Sequence, residues 1–551
     1  MNRRIRNRTY GGVRGRENLF NFPSYSIRDN KNIKFIDFET ARHEYDSEVK
    51  ETFITPGYVT VNQVDALHGD LQKICIALME CIYPYTQMFF KFPYKIVECI
   101  ESLMSTGVVD SKFLKLYEEI FAGRILRADE ALRFLDSSVE LKRVLNIARK
   151  TPKEMQKGLL TTLKNNYNRY NNREIYNIPC DAAGYNTNNY SLAYGSAGVL
   201  NALIYMNEYE TVRNCPDVIR ELIKSVYSGK VHTQGLYLGK SGIAVSLLKA
   251  GFNEQAECIM KTVSISNIAM ADISYGIAGV MMADIEFYMS TEDDYYRRDY
   301  YACVEKLRSL KDDERIRWKD AVGDYYHGFT RGNAGIALAL LQGLILFDDD
   351  SLKKLSIEVL EEDIKAIEYG TEGEIKGFSS LPDSKSTKIY SPYVHSGLCG
   401  IGIVLIRFGL VTGDKRFEMI VDDILGSLKN RRPLFAGWLR GITGILSFIN
   451  DCIYYLNRND LYELRNYYLR LSCLYCVGED ECKLIGDELY AASDDLFTGS
   501  SGLLMELYRS FNNVISNGFI IGDNAFYKYK NTNERGYRDY DRSIIGPSEA
   551  C

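Results

Sequence analysis

Histidine is scarce in this chain: five in 551 residues, at positions 43, 68, 232, 327 and 395. Chemistry that needs an imidazole near neutral pH therefore has few places to sit. No run of about 18 uncharged apolar residues occurs, which excludes an ordinary helical membrane span. The first 30 residues lack the apolar stretch of a secretory signal, so the expected location is the cytosol. Neither charge sign dominates: Lys+Arg 67 against Asp+Glu 73 gives net −6. That balance excludes a dedicated nucleic-acid binder, and the one basic cluster, "MNRRIRNR", is too short to change this. Thirteen cysteines, an odd number scattered along the chain, fit reduced thiols better than a disulfide framework. Cys473 and Cys476 form a C-x-x-C, with Cys482 nearby, but no second pair or neighbouring histidine completes a metal knuckle. Their spacing is also one helical turn, and ordinary helix packing is the expectation.

Apolar residues at 46% and charged residues at 25% are typical of a globular protein. At 551 residues, two domains or a repeat array are the natural forms. A repeat is present. Glycine pairs three residues apart occur at 195/198, 239/242, 276/279, 332/335, 397/400, 441/444 and 499/502, each followed by an apolar run. The first glycines lie 44, 37, 56, 65, 44 and 58 residues apart. Each interval has room for two helices, the signature of stacked supersecondary units. The runs after the glycines, such as "GNAGIALALL", suit inner helices. More polar segments, such as "YYRRDYYACVEKLRSLKDD" and "DLYELRNYYLRLSCLYC", suit an outer amphipathic ring. Seven helix pairs form either an open solenoid or a closed toroid. Closure would aim seven helix N-termini at one end of a central cavity, a field that favours anions.

With "IPCDAAGYNTNNYSLAYGSAGVLNAL" and "SPYVHSGLCGIGIVLIRFG" in view, residues of about 175–510 resemble the lanthionine synthetase C-like cyclases. The nearer likeness is to the cyclase domain of class III lanthipeptide synthetases. The resemblance implies a mainly α fold: an α/α toroid of seven inner and seven outer helices, placed at 186–512. It also implies an activity, addition of a peptide cysteine thiol across a dehydrated serine or threonine to make a thioether ring. Zinc-dependent members hold the metal with a cysteine before the fifth glycine pair and a Cys-His before the sixth. Those places read His395 and Leu439-Arg440 here. One ligand in three cannot make a zinc site, so no metal and no cofactor is expected for the cyclase part. The acidic residue opening the third motif is present as Asp272. The histidine before the fourth pair is replaced by Arg331, with His327 four residues earlier.

The start of the chain carries a second resemblance. "NIKFIDFETARH" reads as a strand delivering Asp37 into a turn, and "ITPGYVTVNQVDALHGDLQKICIALMECIYP" follows. Together they are similar to the second half of a protein kinase. Asp37-Phe38-Glu39 stands for the metal-binding Asp-Phe-Gly, Asn18 for the metal-binding asparagine, and Asp70 for the structural aspartate of the long C-lobe helix. Val13 stands where the catalytic aspartate belongs. The expected organisation is a partial kinase-like C-lobe at 1–160, a connecting segment at 161–185, the toroid at 186–512 and a polar C-terminal tail at 513–551. Mg-ATP is expected only if a partner chain completes the kinase.

The expected catalytic set is His395 as base, Asp272 orienting it or acting as acid, and Arg331 stabilising anions, with Arg440 and His327 at neighbouring places. Asp272 reads equally well as a helix N-cap. Arg331 and Arg440 read equally well as structural partners of Asp272 and Asp495. Two functions stand side by side: an enzyme that cyclises a dehydrated ribosomal precursor peptide, and a non-catalytic peptide-binding or docking subunit for a separate lyase or kinase.

Overall fold

The computed structural model describes residues 21–22, 25–28, 32–35, 63–105, 107, 109–137, 150–311, 316–320, 323–378, 390–429, 431–478, 481–489 and 491–532. The chain divides into two compact units, one of residues 1–151 with 473–477 and 488–491, the other of the remainder.

In the first unit, β1 (Asn21–Phe22), β2 (Tyr25–Arg28) and β3 (Asn32–Phe35) form an antiparallel sheet in that order. Five helices follow: α1 (Ala66–Glu80), α2 (Thr86–Lys91), α3 (Lys95–Ser105), α4 (Ser111–Phe121) and α5 (Ala128–Asp136). Asp65 caps α1 through the N–H of His68 and pairs with Arg127 at 2.7 Å. His68 is buried and structural: its Nδ1 accepts from the N–H of Val64, and its Nε2 lies 2.7 Å from the carbonyl of Ile120. β3 is the strand expected before Asp37, while Asp37 and Asn18 lie outside the described residues. Asp70 lies on the long helix α1, as expected. It is exposed there, and among the described residues it pairs with Lys73, at 3.8 Å.

The second unit holds the seven glycine pairs. Inner helices run Ser196–Tyr205, Lys240–Lys249, Ile277–Thr291, Asn333–Phe347, Leu398–Thr412, Ile442–Tyr455 and Ser500–Asn512. They are almost wholly buried, which explains their unbroken apolar runs. Outer helices run Pro152–Asn171, Pro216–Tyr227, Asn253–Met260, Asp294–Leu310, Asp350–Lys365, Lys415–Ser427 and Tyr462–Ser472. Several inner helices end on a left-handed residue and pass at once into an Asp cap. Glu292 (φ 55°), Asp348 (φ 52°) and Gly413 (φ 71°) are followed by Asp293, Asp349 and Asp414, whose carboxylates accept from the first turns of the outer helices.

The glycines serve close approach. A Cβ on any of the second glycines would collide with the carbonyl oxygen six residues earlier, from Leu192 for Gly198 to Leu496 for Gly502. The loop before each helix folds back onto its first turn, and its carbonyls take up the free N–H groups there. Ile277 and Ala278 donate to Met270 and Ala271, and Ile442 and Thr443 donate to Phe435 and Ala436. In the fourth repeat the buried carboxylate of Asp363 accepts from Gly328 and Ala334 instead. The expected set of seven open, anion-seeking N-termini therefore does not exist.

A relay of backbone hydrogen bonds joins each loop to the next. Ala193 donates to Tyr237, Leu238 to Ser274, Ser274 to Thr330, Thr330 to His395, His395 to Leu439, and Leu439 to Phe497. Phe497 then donates to Ala193 at 3.1 Å. The seventh loop returns to the first, so the unit is a closed ring.

Three boundaries differ from expectation. The helix Pro152–Asn171 is the seventh outer helix, set against Ser500–Asn512, so the ring unit begins near 152 and not at 186. Residues 513–532 are not a polar tail. Asn517, Phe519, Ile521, Asp523 and Phe526 are buried, and the segment crosses the inside of the ring. Gln342 donates to the carbonyl of Ile521, Glu286 accepts from Gly522, and Arg407 donates to Asp523. Finally, the outer helix stops at Ser472 and Cys476, a disulfide-bonded cysteine, begins a short strand, so neither simple helix packing nor a full set of reduced thiols holds there.

Candidate active site

The loops before the glycine pairs set the ring's mouth. Their residue three before the first glycine points inward: Leu192, Leu236, Ile273, Phe329, Val394, Trp438 and Leu496 are all buried. Aromatic rings from separate repeats meet there. Tyr237 lies 6.1 Å from Trp438 and 4.8 Å from Phe497, and Phe329 lies 5.8 Å from Trp438. The second and sixth repeats are not neighbours, so these rings meet across the axis. Phe519 of the crossing segment stacks flat beneath Trp438 at 4.5 Å. The axis is closed by an aromatic floor.

The polar groups stand on either side of that position: Asp272 immediately before Ile273, and Thr330, Arg331, His395 and Arg440 one or two places after its equivalents. In ring order these are Asp272 in the third repeat, Thr330-Arg331 in the fourth, His395 in the fifth and Arg440 in the sixth. The backbone relay from Thr330 through His395 to Leu439 puts Arg331 and Arg440 on the two flanks of His395. Four of the five residues expected from the sequence thus lie on one arc. The fifth, His327, is turned toward the outer ring: its Nδ1 bonds Asp363 on the outer helix at 2.5 Å, and its ring meets Phe378 edge-on. Arg331 forms an ion pair with Asp320 at 2.9 Å and lies over the Tyr326 ring at 4.1 Å. Its structural pairing is therefore with Asp320 and not with Asp272. Asp495 is satisfied by Ser493, Thr498 and the N–H of Asp181, and not by Arg440, which is exposed.

Protonation follows from this placement. Burial, with the Arg440 and Arg331 charges on either side, pushes the His395 imidazolium down to about 3. Burial raises the Asp272 carboxyl to about 6, against the lowering effect of the Tyr275 N–H bond and of Arg331. Moving a proton from a thiol near pKa 8.5 to His395 would cost ~7 kcal/mol, but to Asp272 only ~3 kcal/mol. The lowered imidazolium favours Asp272 over His395 as the proton acceptor. Asp272 is the group tuned toward neutrality. It also accepts from Tyr275 at 2.8 Å, so the capping reading and the chemical one coexist.

Two residues of the site escaped the sequence reading. Asp363 sits on an outer helix and caps the fourth loop. Thr330, almost fully buried, bonds His395 Nδ1 through its hydroxyl. The signal for Thr330 was available, since it occupies the slot in its loop that His395 occupies in the next.

Zinc would need thiolate and imidazole donors at this arc. The three positions supply one imidazole, whose Nδ1 is engaged by Thr330, with an aliphatic chain and a guanidinium beside it. The donor set does not fit a tetrahedral zinc. Among the described residues no group of three or more His, Cys, Asp or Glu is placed to hold a metal ion.

Residues 266–372, spanning the third and fourth repeats, match the family described as lanthionine synthetase C-like protein. Among solved structures the chain is similar to nisin cyclase, with a TM-score of 0.53 and 14% identity, covering 68% of this chain and 98% of that one. It is less similar to a GH76A alpha-1,6-mannanase from Salegentibacter sp. HEL1_6 (TM-score 0.38, 14% identity, 65% and 99% covered). An unsaturated glucuronyl hydrolase from Streptococcus agalactiae gives a TM-score of 0.37 at 11% identity, with 69% and 98% covered. No curated protein matches by sequence. The ring carries a LanC-like match over its third and fourth repeats and has the fold of nisin cyclase. No helix among the described residues is long and apolar enough to cross a membrane.

Proposed function

We propose that this protein closes thioether rings on a dehydrated ribosomal precursor peptide, without zinc, at the arc formed by Asp272, Arg331, His395 and Arg440. The observation that carries the reading is Asp272, a carboxylate tuned to about 6 in a ring whose third and fourth repeats match the LanC-like family, with the Arg331 guanidinium acting on it. The Asp272 carboxylate takes the cysteine thiol proton. The sulfur bonds the β-carbon of the dehydroamino acid, and the double-bond electrons pass to the neighbouring carbonyl as an enolate. The Asp272 carboxylic acid returns the proton to the α-carbon. Arg331 and Arg440 lower the energy of the thiolate and enolate while they exist. Ring closure leaves peptide mass unchanged, so the assay counts free thiols by alkylation after incubation with a pre-dehydrated peptide. Loss of alkylatable cysteine with the protein, and not without it, is the expected result.

A second reading, a peptide-binding or docking subunit beside a separate lyase or kinase, is favoured by the aromatic floor. Trp438 and Phe519 fill the axis where a long peptide would otherwise thread. Measurable peptide binding with no thiol loss would select it.

For the first unit we propose a kinase-like C-lobe of a class III synthetase that does not transfer phosphate, Val13 standing where the catalytic aspartate belongs. The strand β3 before Asp37 supports it, and the exposure of Asp70 weighs against it. Transfer requires phosphate-positioning groups together with bound metal. Labelled phosphate appearing on a precursor peptide with this chain alone would overturn the inactivity.

A further inference from the structure

We propose that His395 serves ring closure as a neutral hydrogen-bond donor through Nε2, with Thr330 as the positioning residue that sets its tautomer, and that the acceptor is the carbonyl oxygen of the dehydroamino acid. The inference rests on the ring-closing reading and gives the arc a second, distinct role.

The tautomer follows from the hydrogen bonds around Thr330. Its backbone N–H already donates to the carbonyl of His395 at 3.3 Å. Its hydroxyl has two acceptors within reach on the same residue, the carbonyl at 3.4 Å and Nδ1 in a short contact. Hydroxyl-to-oxygen bonds centre near ~2.8 Å, so 3.4 Å is a poor use of that proton. The hydroxyl therefore donates to Nδ1. Nδ1 is then a bare acceptor, and the ring's one proton is on Nε2. The opposite tautomer would have Nδ1–H donate to Thr330 and leave the hydroxyl with the long contact alone.

The surroundings keep the ring neutral. Arg331 follows Thr330 directly. Arg440 follows Leu439, whose carbonyl accepts from the His395 N–H at 2.9 Å. Two guanidinium groups anchored on either side disfavour a third positive charge between them, and burial acts in the same direction. A half-buried neutral imidazole with Nε2–H has no protein acceptor for that proton among the described residues.

Thiol addition creates such an acceptor. As the S–C bond forms, the C=C π pair moves to the carbonyl and leaves negative charge on oxygen. Nε2–H can hydrogen-bond that oxygen without giving up its proton. The thiol proton travels separately, to Asp272 and then to the α-carbon, so the balance closes with no further reactant. A donor already fixed in position needs no reorganisation when the charge appears.

The test uses the full chain with ¹⁵N-histidine labelling at pH 7, the His395 signal being assigned by its loss in His395→Gln. The expected spectrum shows a neutral ring protonated at Nε2, and in Thr330→Val a mixture of tautomers. In the alkylation assay, His395→Ala is expected to lower the closure rate by about 10²–10³-fold, the usual cost of one such donor. His395→Gln, which returns an N–H donor, is expected to stay within about tenfold of the parent. Thr330→Val should lower kcat with KM unchanged, and Thr330→Ser should restore it. A ring protonated at Nδ1, or an Ala variant no slower than the Gln variant, would overturn the role. No closure by the parent chain would remove the ring-closing reading and this role with it. Closure by the parent with equally slow Ala and Gln variants would remove this role alone.

Discussion

Replacing Arg407 by alanine is expected to destabilise the ring unit by about 3–5 kcal/mol, the usual cost of stripping one partner from a buried ion pair. Arg407 is fully buried on the fifth inner helix. It reaches Asp451 on the sixth at 2.6 Å and Asp523 of the crossing segment at 2.7 Å. Asp451 also takes Arg509 at 2.6 Å, and Asp523 takes the Tyr455 hydroxyl and the Asn517 N–H. Without Arg407, Asp523 would lose its cationic partner and Asp451 one of its two, away from water. Typical domains have only about 5–15 kcal/mol in hand, so the melting temperature should fall sharply and residues 513–532 should become accessible to protease. A variant that melts with the parent, its C-terminal segment still protected, would show that this network does not hold the ring closed.

Asp272→Asn is expected to slow ring closure by about 10²–10⁴-fold while stabilising the fold at pH 7. The two signs follow from one cause. For the parent, closure at subsaturating peptide should rise with pH up to about 6 and then level, because the carboxylate is the active form. The folded-state carboxyl titrates above its ordinary value, so the native state favours the protonated form. That stabilising contribution is complete below the unfolded value near 3.8 and is lost as pH rises through about 6. Asparagine keeps the acceptor for the Tyr275 N–H without the buried charge, and up to ~3 kcal/mol of stability at neutral pH should return. Equal rates with a preserved acid limb would show that another group carries the proton.

Much of the ring was legible because glycine has few reasons to recur three apart before an apolar run. Seven loops that fold onto their own helices demand it, and the colliding carbonyls give the reason. Thr330, Arg331, His395 and Arg440 could be located from the same register, one or two places before the first glycine, whereas Asp272 stands four before it. Their protonation could not, since it depends on ring closure bringing Arg331 and Arg440 to either side of His395. The crossing segment was missed because "NNVISNGFIIGDNAFY" has the composition of an ordinary loop. Its partners were the better signal. Arg407 inside "IGIVLIRFGL" and Asp451 inside "ILSFINDCIYY" are charges on helices that otherwise bury everything, and such charges need partners from elsewhere in the chain. The helix Pro152–Asn171 was read outside the ring because it lies before the first glycine pair, and only closure against Ser500–Asn512 reveals its place.

The central claim is zinc-free closure at the arc of Asp272, Arg331, His395 and Arg440. The most direct test is the alkylation assay on full-length protein dialysed against a strong chelator, with zinc measured on the same sample. The account predicts substoichiometric zinc before dialysis and an undiminished closure rate after it. One tightly held zinc per chain, with closure lost on its removal and restored on its return, would contradict it.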